Sequence, residues 1–266
     1  MKIIVTGHLG FIGSNLVKKL SNHEIIGLDL KNGHDVLKEN YYFANTDAVI
    51  HLAAIPGVQY SHEHSEEVLY KNIIGFNRVA GAAIKANVKH FIYASSSSVY
   101  GDNGILKSPY AISKATNELQ ASIYAGNTKF TGLRLFSVYG EGIRKDLAIA
   151  KFIDAIKNDY PINIYGTQSR DFTYVDDVCE AIKLVLESKL DWTNEVFDVG
   201  YGQSTSIIRV VEILKSILNP SFDKIVYKGA RAFDVEQTLA NPVKFFSWFN
   251  FIPRYDIEKG LNTWLK

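Results

Sequence analysis

A glycine-rich turn near the start of the chain separates an apolar segment from an amphipathic one. Residues 2–6 are mostly aliphatic, which predicts a strand, and apolar side chains recur at helical spacing through residues 11–20. The turn contains Gly7, Gly10 and Gly13. Glycines there let the chain reverse, let a pyrophosphate approach the backbone and let helix and strand pack closely. The segment predicts an α/β fold in which a dinucleotide lies at the helix N-terminus.

Asp29 follows the next apolar segment, residues 24–28, and lies about 20 residues after the glycines. An acidic side chain at this distance accepts hydrogen bonds from the adenosine ribose hydroxyls. Because its carboxylate also repels a 2′-phosphate, we predict NAD rather than NADP as the cofactor; Lys31 and His8 nearby weaken that preference. A glycine-rich turn without a ligand is the alternative, and Asp29 argues against it.

The predicted sheet is shortened around its third strand. Residues 47–54 predict a parallel strand, yet only 17 residues, positions 30 to 46, separate it from Asp29. That is too few for a helix, a strand and a second helix. We interpret residues 33–36 as a vestigial third strand, with Asp35 a candidate for binding the adenine amino group; a surface turn is the alternative. His51 is expected to be an ordinary strand histidine with hydrogen-bonded ring nitrogens.

Length and composition set the broad class. The chain has 266 residues and no Pro-, Ser- or Gly-rich linker, which predicts two lobes that share one core. We place an NAD-binding, Rossmann-type, doubly wound parallel sheet in residues 1–143 and a smaller α/β substrate lobe in residues 144–266, with the chain interleaving between them. A net charge of +1 predicts neither nucleic acid nor a membrane as a partner. No apolar run approaches about 18 residues, so we expect a cytoplasmic protein. The only cysteine, Cys179, is expected to be buried and inert, and no metal site is predicted.

The predicted chemical centre lies where a strand runs into serines. Residues 91–94 are apolar and residues 95–98 are all serine, and ligands of open parallel sheets bind at such carboxyl ends. A helix then begins with Ser108 and Pro109. Tyr110 and Lys114 are four residues apart on it and therefore share a face. Loop chemistry for the serines and surface packing for the pair are the alternatives that this order argues against.

A tyrosine must lose its proton to act as a base near neutral pH. Its ordinary pKa is about 10, so a reduction of roughly three units requires about 4 kcal/mol of differential interaction. Two positive charges, the Lys114 ammonium and a nicotinamide ring, supply interaction of that size in a partly dry site. We therefore predict Tyr110 as a catalytic base.

With these segments in place, the chain resembles the extended short-chain dehydrogenase/reductase family. Within it, the sequence is most similar to the NAD-dependent nucleotide-sugar epimerases and dehydratases, and among these to the UDP-glucuronate 4-epimerases. The resemblance covers nearly the whole chain. It is carried by residues 51–54, 57–61, 93–101, 110–114, 133–140 and 170–177.

The resemblance implies roles for individual residues. Ser96 shares a proton with the substrate 4-oxygen, Tyr110 is the base, Lys114 binds the nicotinamide ribose and Asn72 braces the cofactor loop. The implied cofactor-binding residues are Gly7, Gly10, Phe11, Ile12, Gly13, Asp29, Asp35, Val36, Leu52, Ala53, Ala54, Asn72, Ala94, Tyr110 and Lys114. The implied substrate-binding residues are Val58, Ser96, Ser97, Ser137, Arg144, Arg170, Arg231 and Asp234.

The serine run favours epimerisation over elimination. Family members that dehydrate or decarboxylate carry acidic residues where Ser97 and Ser98 stand in this chain. Without a carboxyl group to protonate a leaving hydroxyl, elimination lacks its acid catalyst. By the resemblance, Tyr110 removes the 4-hydroxyl proton as hydride passes to NAD, the 4-keto sugar turns over, and hydride returns to its other face.

The resemblance also implies the substrate class. Arg170, and Arg231 with Asp234, match family motifs whose arginines hold the nucleotide diphosphate, as guanidinium forks do. Ser137 stands where hexose epimerases usually have asparagine, and Arg144 where the hexuronate enzymes have an arginine. Both favour UDP-glucuronate and UDP-galacturonate as substrates.

Three other functions compete with this hypothesis. One is epimerisation of UDP-glucose or UDP-N-acetylglucosamine, and another is NAD(P)H-dependent reduction of a 4-keto nucleotide sugar. The third is a non-catalytic dinucleotide sensor, which has no use for Ser96, Tyr110 and Lys114. The chain also departs from the family pattern: residues 102–107 form a shortened loop, Phe233 replaces a glycine, and residues 141–143 replace a proline-bearing turn. These departures predict a more open site.

The resemblance further implies a homodimer. Relatives pair through two helices of each subunit, which form a four-helix interface. Here the corresponding helices are predicted around residues 65–84 and 109–124. The same apolar stripes are also compatible with ordinary core packing.

Overall fold

The computed structural model describes residues 1–38, 41, 43–231 and 233–266, and its centre is a parallel sheet. Its strands are β1 (Lys2–Thr6), β2 (Glu24–Leu28), β3 (Ala48–His51), β4 (His90–Ser96), β5 (Lys129–Leu135) and β9 (Asn194–Val199). The six strands lie in the order β2-β1-β3-β4-β5-β9, and every neighbouring pair is parallel. This sheet is the α/β, Rossmann-type architecture that the sequence predicted.

Helices cover both faces of the sheet. The first face packs α1 (Phe11–Lys19) and α6 (Val175–Glu187), and the second packs α3 (Ser65–Lys85) and α4 (Pro109–Tyr124). Strand β1 shows why both faces are apolar. Ile3 and Val5 are buried in the first cluster, whereas Ile4 between them is buried in the second. Because successive side chains of a strand point to opposite faces, an uninterrupted aliphatic run is what a doubly covered strand requires.

The predicted vestigial third strand is absent, and this interpretation of residues 33–36 was wrong. Strand β2 is the edge of the sheet, and a single 3-10 turn, Leu30–Asn32, follows it. The Asp29 carboxylate caps this turn by accepting the Lys31 N–H, and Gly33 ends it in the left-handed region at φ 91°. Local capping and a left-handed glycine turn the chain before another strand can form.

The second lobe is built on two small sheets. Its elements are β6 (Ser137–Tyr139), α5 (Ala148–Asn158), β7 (Ile162–Tyr165), β8 (Ser169–Tyr174), β10 (Ser204–Ser206), α7 (Ile207–Leu218), β11 (Ile225–Lys228) and α9 (Ile257–Leu265). Helix α8 (Val243–Phe249) packs instead on β9 of the central sheet. Strands β10, β8 and β6 form one sheet, and β11 pairs with β7 in the other. The chain interleaves: after residue 143 it returns to the central sheet to add α6 and β9.

Two buried carboxylates hold the second lobe in place. Asp171, on β8, is fully buried and accepts backbone N–H groups of Tyr201, Gly202 and Ala240 at 2.8 to 3.1 Å. Asp177, on α6, accepts the backbone N–H groups that precede α9 in the same way. Both belong to the 170–177 motif, so part of that motif has a structural role.

His51 and His90 are buried and neutral. The His51 Nδ1 lies 2.8 Å from the Thr6 hydroxyl, and the His90 Nε2 lies 2.8 Å from the Thr131 hydroxyl. Burial lowers the pKa of each ring from 6.5 to about 3. His51 is thus a hydrogen-bonded strand histidine, as predicted. Cys179 is also buried, and burial raises the pKa of its thiol to about 12.

These histidines predict a loss of stability in mild acid. Below about pH 6.5 the unfolded chain binds protons at both rings while the folded protein does not, so falling pH favours unfolding. Between pH 7 and pH 5.5 we expect a loss of about 2 kcal/mol in the free energy of unfolding, or roughly 5 °C in Tm. Thermal melts at the two pH values measure it. A His90→Asn variant should lose less over this interval, and a Tm that does not change for the unsubstituted protein contradicts the prediction.

Candidate active site

The serine strand and the start of α4 bring the predicted catalytic side chains together. Strand β4 ends at Ser96, whose hydroxyl accepts the Ser98 N–H at 3.1 Å. Helix α4 begins at Pro109, and Ser108 caps it by accepting the Ala111 N–H at 3.1 Å. The Tyr110 phenol, in the first turn, lies near enough to Ser96 for that side chain to oppose the rise of its pKa. The two groups predicted to exchange a proton with substrate are therefore brought close together.

Lys114 lies beneath the tyrosine in a buried position. Its Nζ is 5.8 Å from the centre of the Tyr110 ring and donates a 2.8 Å hydrogen bond to the Ala94 carbonyl at the end of β4. The side chain is 5% exposed, and burial lowers the pKa of its ammonium to about 8. Lys114 thus fixes the helix to the strand that carries the serines.

Burial dominates the pKa of Tyr110. It raises the pKa above the usual value, while the hydrogen bond to Ser96 and the positive charge of Arg144 oppose that rise. The protein's own groups therefore do not lower the pKa of Tyr110 to the extent predicted for two positive charges. The physical reason is that desolvation disfavours the phenolate, and Lys114 has itself lost part of its tendency to stay charged.

The glycine-rich turn fits a dinucleotide cradle because no side chain has room there. A Cβ on Gly7 would lie 2.8 Å from the Ala53 nitrogen, and one on Gly13 would lie 2.2 Å from the Gly7 carbonyl oxygen. A Cβ on Gly10 would lie 3.1 Å from the same oxygen. Asp29 reaches back to this turn and accepts the Leu9 N–H at 3.0 Å. These residues place backbone N–H groups, which can donate to a diphosphate, beside a carboxylate, which can accept from the adenosine ribose.

Most of the other predicted cofactor residues surround this turn. Phe11, Ile12, Leu52 and Ala94 are partly buried against the core between the sheet and α1. The Ala53 N–H points to the Thr6 hydroxyl at 3.3 Å, and Ala54 follows in the same loop.

Asn72 braces that loop from α3. It donates to and accepts from the Ile55 backbone at 3.0 and 2.8 Å, and it also donates to Ser113 on α4 at 3.1 Å. This one amide therefore links the loop after β3 to both helices of the second face.

Asp35 and Val36 lie apart from these contacts, in the turn after β2. The Asp35 carboxylate accepts the Leu37 N–H at 2.9 Å and pairs with Lys38 at 3.7 Å. The Val36 side chain packs on α3, where a Cβ on Gly75 would lie 2.9 Å from it. Their local contacts account for both side chains, and an adenine contact for Asp35 stays a prediction.

The predicted diphosphate arginines lie side by side. Arg170 projects from β8 and donates to the Ser169 carbonyl at 2.8 Å. Burial and the nearby charge of Arg231 lower the pKa of the Arg170 guanidinium, and Asp234 raises it. Arg231 pairs with Asp234 at 2.8 Å and donates to Gln59 at 3.2 Å. Two guanidinium groups with one carboxylate leave a net positive charge, which suits a diphosphate.

Aromatic rings surround Arg231. Its guanidinium lies 4.8 Å from the Tyr165 ring and 5.2 Å from the Phe233 ring. The Phe233 ring in turn lies 4.9 Å from that of His62 on α2 (Val58–Glu63). Phe233, which replaces the family glycine, therefore contacts the cofactor half of the molecule.

The remaining predicted substrate residues lie at the ends of central elements. Val58 is the first residue of α2, and Ser97 begins a 3-10 turn directly after β4. Ser137 begins β6, paired with Phe172 of β8. Arg144, in the segment after β6, forms a two-bond pair with Asp146.

A partly buried hydrogen-bond network behind the serines was not predicted. Glu118, on α4, accepts from Ser95 at 2.5 Å and from Arg134 on β5 at 2.7 Å. Arg134 also donates to the Tyr100 hydroxyl at 2.8 Å, which donates to Asp198 on β9 at 2.6 Å. The network ties the serine segment to three neighbouring elements. Glu118 lies four residues after Lys114, a spacing that placed it on the catalytic helix face.

Comparison with known proteins agrees with this geometry. Residues 3–200 match the profile of the NAD dependent epimerase/dehydratase family. The chain belongs to this family. Membership confirms the family predicted from the sequence motifs, and it confirms NAD as the cofactor predicted from the glycine-rich turn.

Individual relatives are similar over nearly their full lengths. A probable UDP-glucuronate 4-epimerase of Rhizobium meliloti is 30% identical, with 98% of this chain and 95% of the relative covered. The structure of MoeE5 with UDP-glucuronic acid and NAD is 33% identical and superposes with a TM-score of 0.93, covering 100% of this chain and 98% of the other. The Bacillus cereus UDP-glucuronic acid 4-epimerase, with the same two ligands, is 29% identical with a TM-score of 0.92 over 100% and 98%.

The described residues contain neither a helix suited to span a membrane nor a cluster suited to hold a metal ion. No helix within 1–38, 43–231 or 233–266 is both long and apolar enough to cross a membrane. In the same part of the chain, no group of three or more His, Cys, Asp or Glu side chains is arranged to hold a metal ion.

Proposed function

We propose that this protein is an NAD-dependent 4-epimerase that interconverts UDP-glucuronate and UDP-galacturonate. The observation that carries the proposal is the grouping of Ser96, Tyr110 and Lys114 where β4 ends and α4 begins, with the charge of Arg144 acting on the phenol. A proton-transfer pair next to a cationic side chain suits a sugar with both a reacting hydroxyl and a carboxylate. The similarity to proteins solved with UDP-glucuronic acid supports the same substrate class.

The mechanism assigns the proton to Tyr110 and the positioning to its neighbours. When bound, NAD would accept hydride from C4 of the sugar and return it, and its nicotinamide ring would supply a positive charge. Tyr110 accepts the 4-hydroxyl proton when the sugar is oxidised and returns it when the 4-keto sugar is reduced on its other face. Ser96, beside the phenol, shares that proton with the substrate oxygen, and Lys114 orders the helix through Ala94. No net oxidation results.

The assay for this proposal is direct. Purified protein and NAD are mixed with UDP-glucuronate, and in separate samples with UDP-glucose and UDP-N-acetylglucosamine, while NMR follows the anomeric protons. We expect galacto-configured signals from the uronate alone. Conversion of a neutral sugar assigns the protein to that substrate instead. Net consumption of NADH by a 4-keto sugar, without epimerisation, supports a reductase and rejects the proposal.

Asp29 is proposed to select NAD over NADP. Its carboxylate, held beside the turn by the Leu9 and Lys31 N–H groups, would face a 2′-phosphate with like charge. We expect Asp29→Asn to lower the ratio of the NADP dissociation constant to the NAD dissociation constant about tenfold, because removal of one such repulsion corresponds to about 1.4 kcal/mol. Dissociation constants for both cofactors measure the change. An Asp35→Asn control should leave the ratio intact, and an unchanged ratio in the Asp29→Asn variant contradicts the role.

We also propose a homodimer that works in the cytoplasm, where NAD and nucleotide sugars are available. Helix α4 exposes Ile112, Leu119 and Ile123 in one stripe, and Leu119 and Ile123 are 66% and 78% exposed. Tyr70 on α3 is 56% exposed. A contiguous apolar surface of this kind is typical of an interface.

The dimer predicts a specific response to charge. We expect the protein to sediment as a dimer at micromolar concentration and the Leu119→Glu variant as a monomer, because a charge at the centre of an apolar interface costs several kcal/mol. The matched control is Ile252→Glu, an exposed isoleucine that is 64% accessible and lies outside both helices. A monomeric unsubstituted protein, or a variant that remains dimeric, overturns the proposal.

A further inference from the structure

Arg144 holds a carboxylate of the protein itself near the catalytic tyrosine. Its Nε donates to Asp146 Oδ1 at 2.9 Å and its Nη2 donates to Oδ2 at 2.7 Å. The same Nη2 lies 3.6 Å from where a Cβ on Gly57 would stand, which places the guanidinium beside the turn that begins α2. The charge of Arg144 acts on Tyr110. The pair thus lies at the mouth of the site rather than on a distant surface.

The contact uses only one edge of the guanidinium. Arginine has five N–H donors, and the edge formed by Nε and one Nη can bind a carboxylate independently of the edge formed by the two Nη atoms. Asp146 occupies the first edge. Within the described residues, no hydrogen bond is made by Nη1, so the second edge is left for another carboxylate. Arg144 is 31% exposed and its partner Asp146 is 60% exposed, so the pair borders solvent.

We propose that Asp146 is a positioning residue that sets the preference for a uronate. It fixes Arg144 by the Nε edge so that the other edge receives the carboxylate at C6 of the sugar. The inference rests on the proposed function, because it assumes that a nucleotide hexuronate enters this site. Asp146 itself does not touch the reacting atoms. Its effect is on orientation, because an arginine that is already held loses less side-chain freedom when the substrate binds.

The same pair also explains why the free edge of the Arg144 guanidinium is not costly when no carboxylated sugar is bound. When no carboxylated sugar is bound, the charge of Arg144 is balanced by Asp146 and the guanidinium keeps its hydrogen bonds. A neutral sugar gains nothing from the free edge, whereas a uronate gains a two-bond contact. The Arg144 and Asp146 pair therefore separates the two substrate classes by affinity, while the proton transfer itself is assigned to Tyr110.

The test measures binding and turnover separately. Affinities of UDP-glucuronate, UDP-glucose and UDP are measured by calorimetry with NAD present, for the unsubstituted protein and for Asp146→Asn. We expect the variant to bind UDP-glucuronate about fivefold more weakly, the size of a solvent-bordering ion pair, with UDP and UDP-glucose unchanged. In the epimerase assay KM for the uronate should rise by a similar factor while kcat changes less than about twofold.

Controls separate this role from a general loss of structure. Asp146→Glu keeps the carboxylate and should recover most of the uronate affinity. Asp154→Asn removes an exposed acidic side chain of α5, bonded to Asn158 instead of an arginine, and should have no effect. Unchanged UDP affinity and Tm show that the Asp146→Asn variant is folded.

Three results overturn the inference. They are equal loss for UDP-glucose and UDP-glucuronate, tighter uronate binding in Asp146→Asn, and absence of a uronate preference in the unsubstituted protein. Because affinity and turnover are measured in separate experiments, a protein that prefers the uronate yet does not epimerise it rejects the proposed reaction and leaves the role of Asp146 supported.

Discussion

Replacing Tyr110 with Phe should lower kcat for the proposed epimerisation by about a thousandfold. General acid and base groups contribute roughly 10² to 10⁴ to rate, and Tyr110 is the only group assigned to take the 4-hydroxyl proton. The ring of Phe fills the same space, so α4 and its contact with Lys114 should persist. The variant loses only the phenol oxygen, which is the atom assigned to accept the proton. Single-turnover and steady-state rates by NMR give the size of the effect.

The control for this variant is a second tyrosine. Tyr160 is 61% exposed in the second lobe, and Tyr160→Phe should retain full activity. Calorimetry should show that NAD binds Tyr110→Phe within a few-fold of the unsubstituted protein. If the variant turns over at more than about a tenth of the normal rate, another group accepts the proton and the assigned mechanism is wrong.

Replacing Asp171 with Ala should lower the free energy of unfolding by about 4 kcal/mol, because three buried donors lose their acceptor. The carboxylate is fully buried and accepts backbone N–H groups of Tyr201, Gly202 and Ala240. Each buried donor left without an acceptor costs about 1 to 3 kcal/mol. Burial also raises the pKa of Asp171, which shows that its charged form is partly disfavoured, so we expect less than the largest sum. The corresponding fall in Tm is about 10 °C.

Thermal melts followed by circular dichroism at neutral pH measure this loss. The exposed Asp223 provides the comparison, since Asp223→Ala should shift Tm by less than about 2 °C. Asp171→Asn keeps an oxygen acceptor and should fall between the two. Equal melting temperatures for the Asp171→Ala and Asp223→Ala variants would show that water replaces the carboxylate without cost.

Local chemistry made the N-terminal half predictable. The glycine-rich turn, the aliphatic strands and the Ser108 and Pro109 cap each specify their own conformation over a few residues. The wrong prediction of a strand at residues 33–36 also concerned local chemistry of this kind. Asp29 was assigned to a ligand alone, although its capping of Leu30–Asn32 and the left-handed Gly33 decide the path of the chain.

What could not be predicted depends on contacts between distant segments. Nothing in the sequence distinguishes Glu118 and Arg134 from surface charges. They pair only because β4, β5 and α4 pack together. The pKa of Tyr110 also depends on burial, which no pattern within its own helix shows. The pairing of Arg144 with Asp146 is closer in sequence, yet its importance comes from Gly57 and Tyr110, which the fold brings near it.

The interleaved path of the chain has a consequence for its synthesis. Strand β5 is complete at residue 135, but the strand that pairs with its outer side, β9, is not complete until residue 199. While the ribosome adds the residues between them, the nascent chain carries an open, apolar sheet edge of the kind that promotes self-association. The small lobe is synthesised in part during this interval. Chaperone dependence should therefore concentrate in the third quarter of translation.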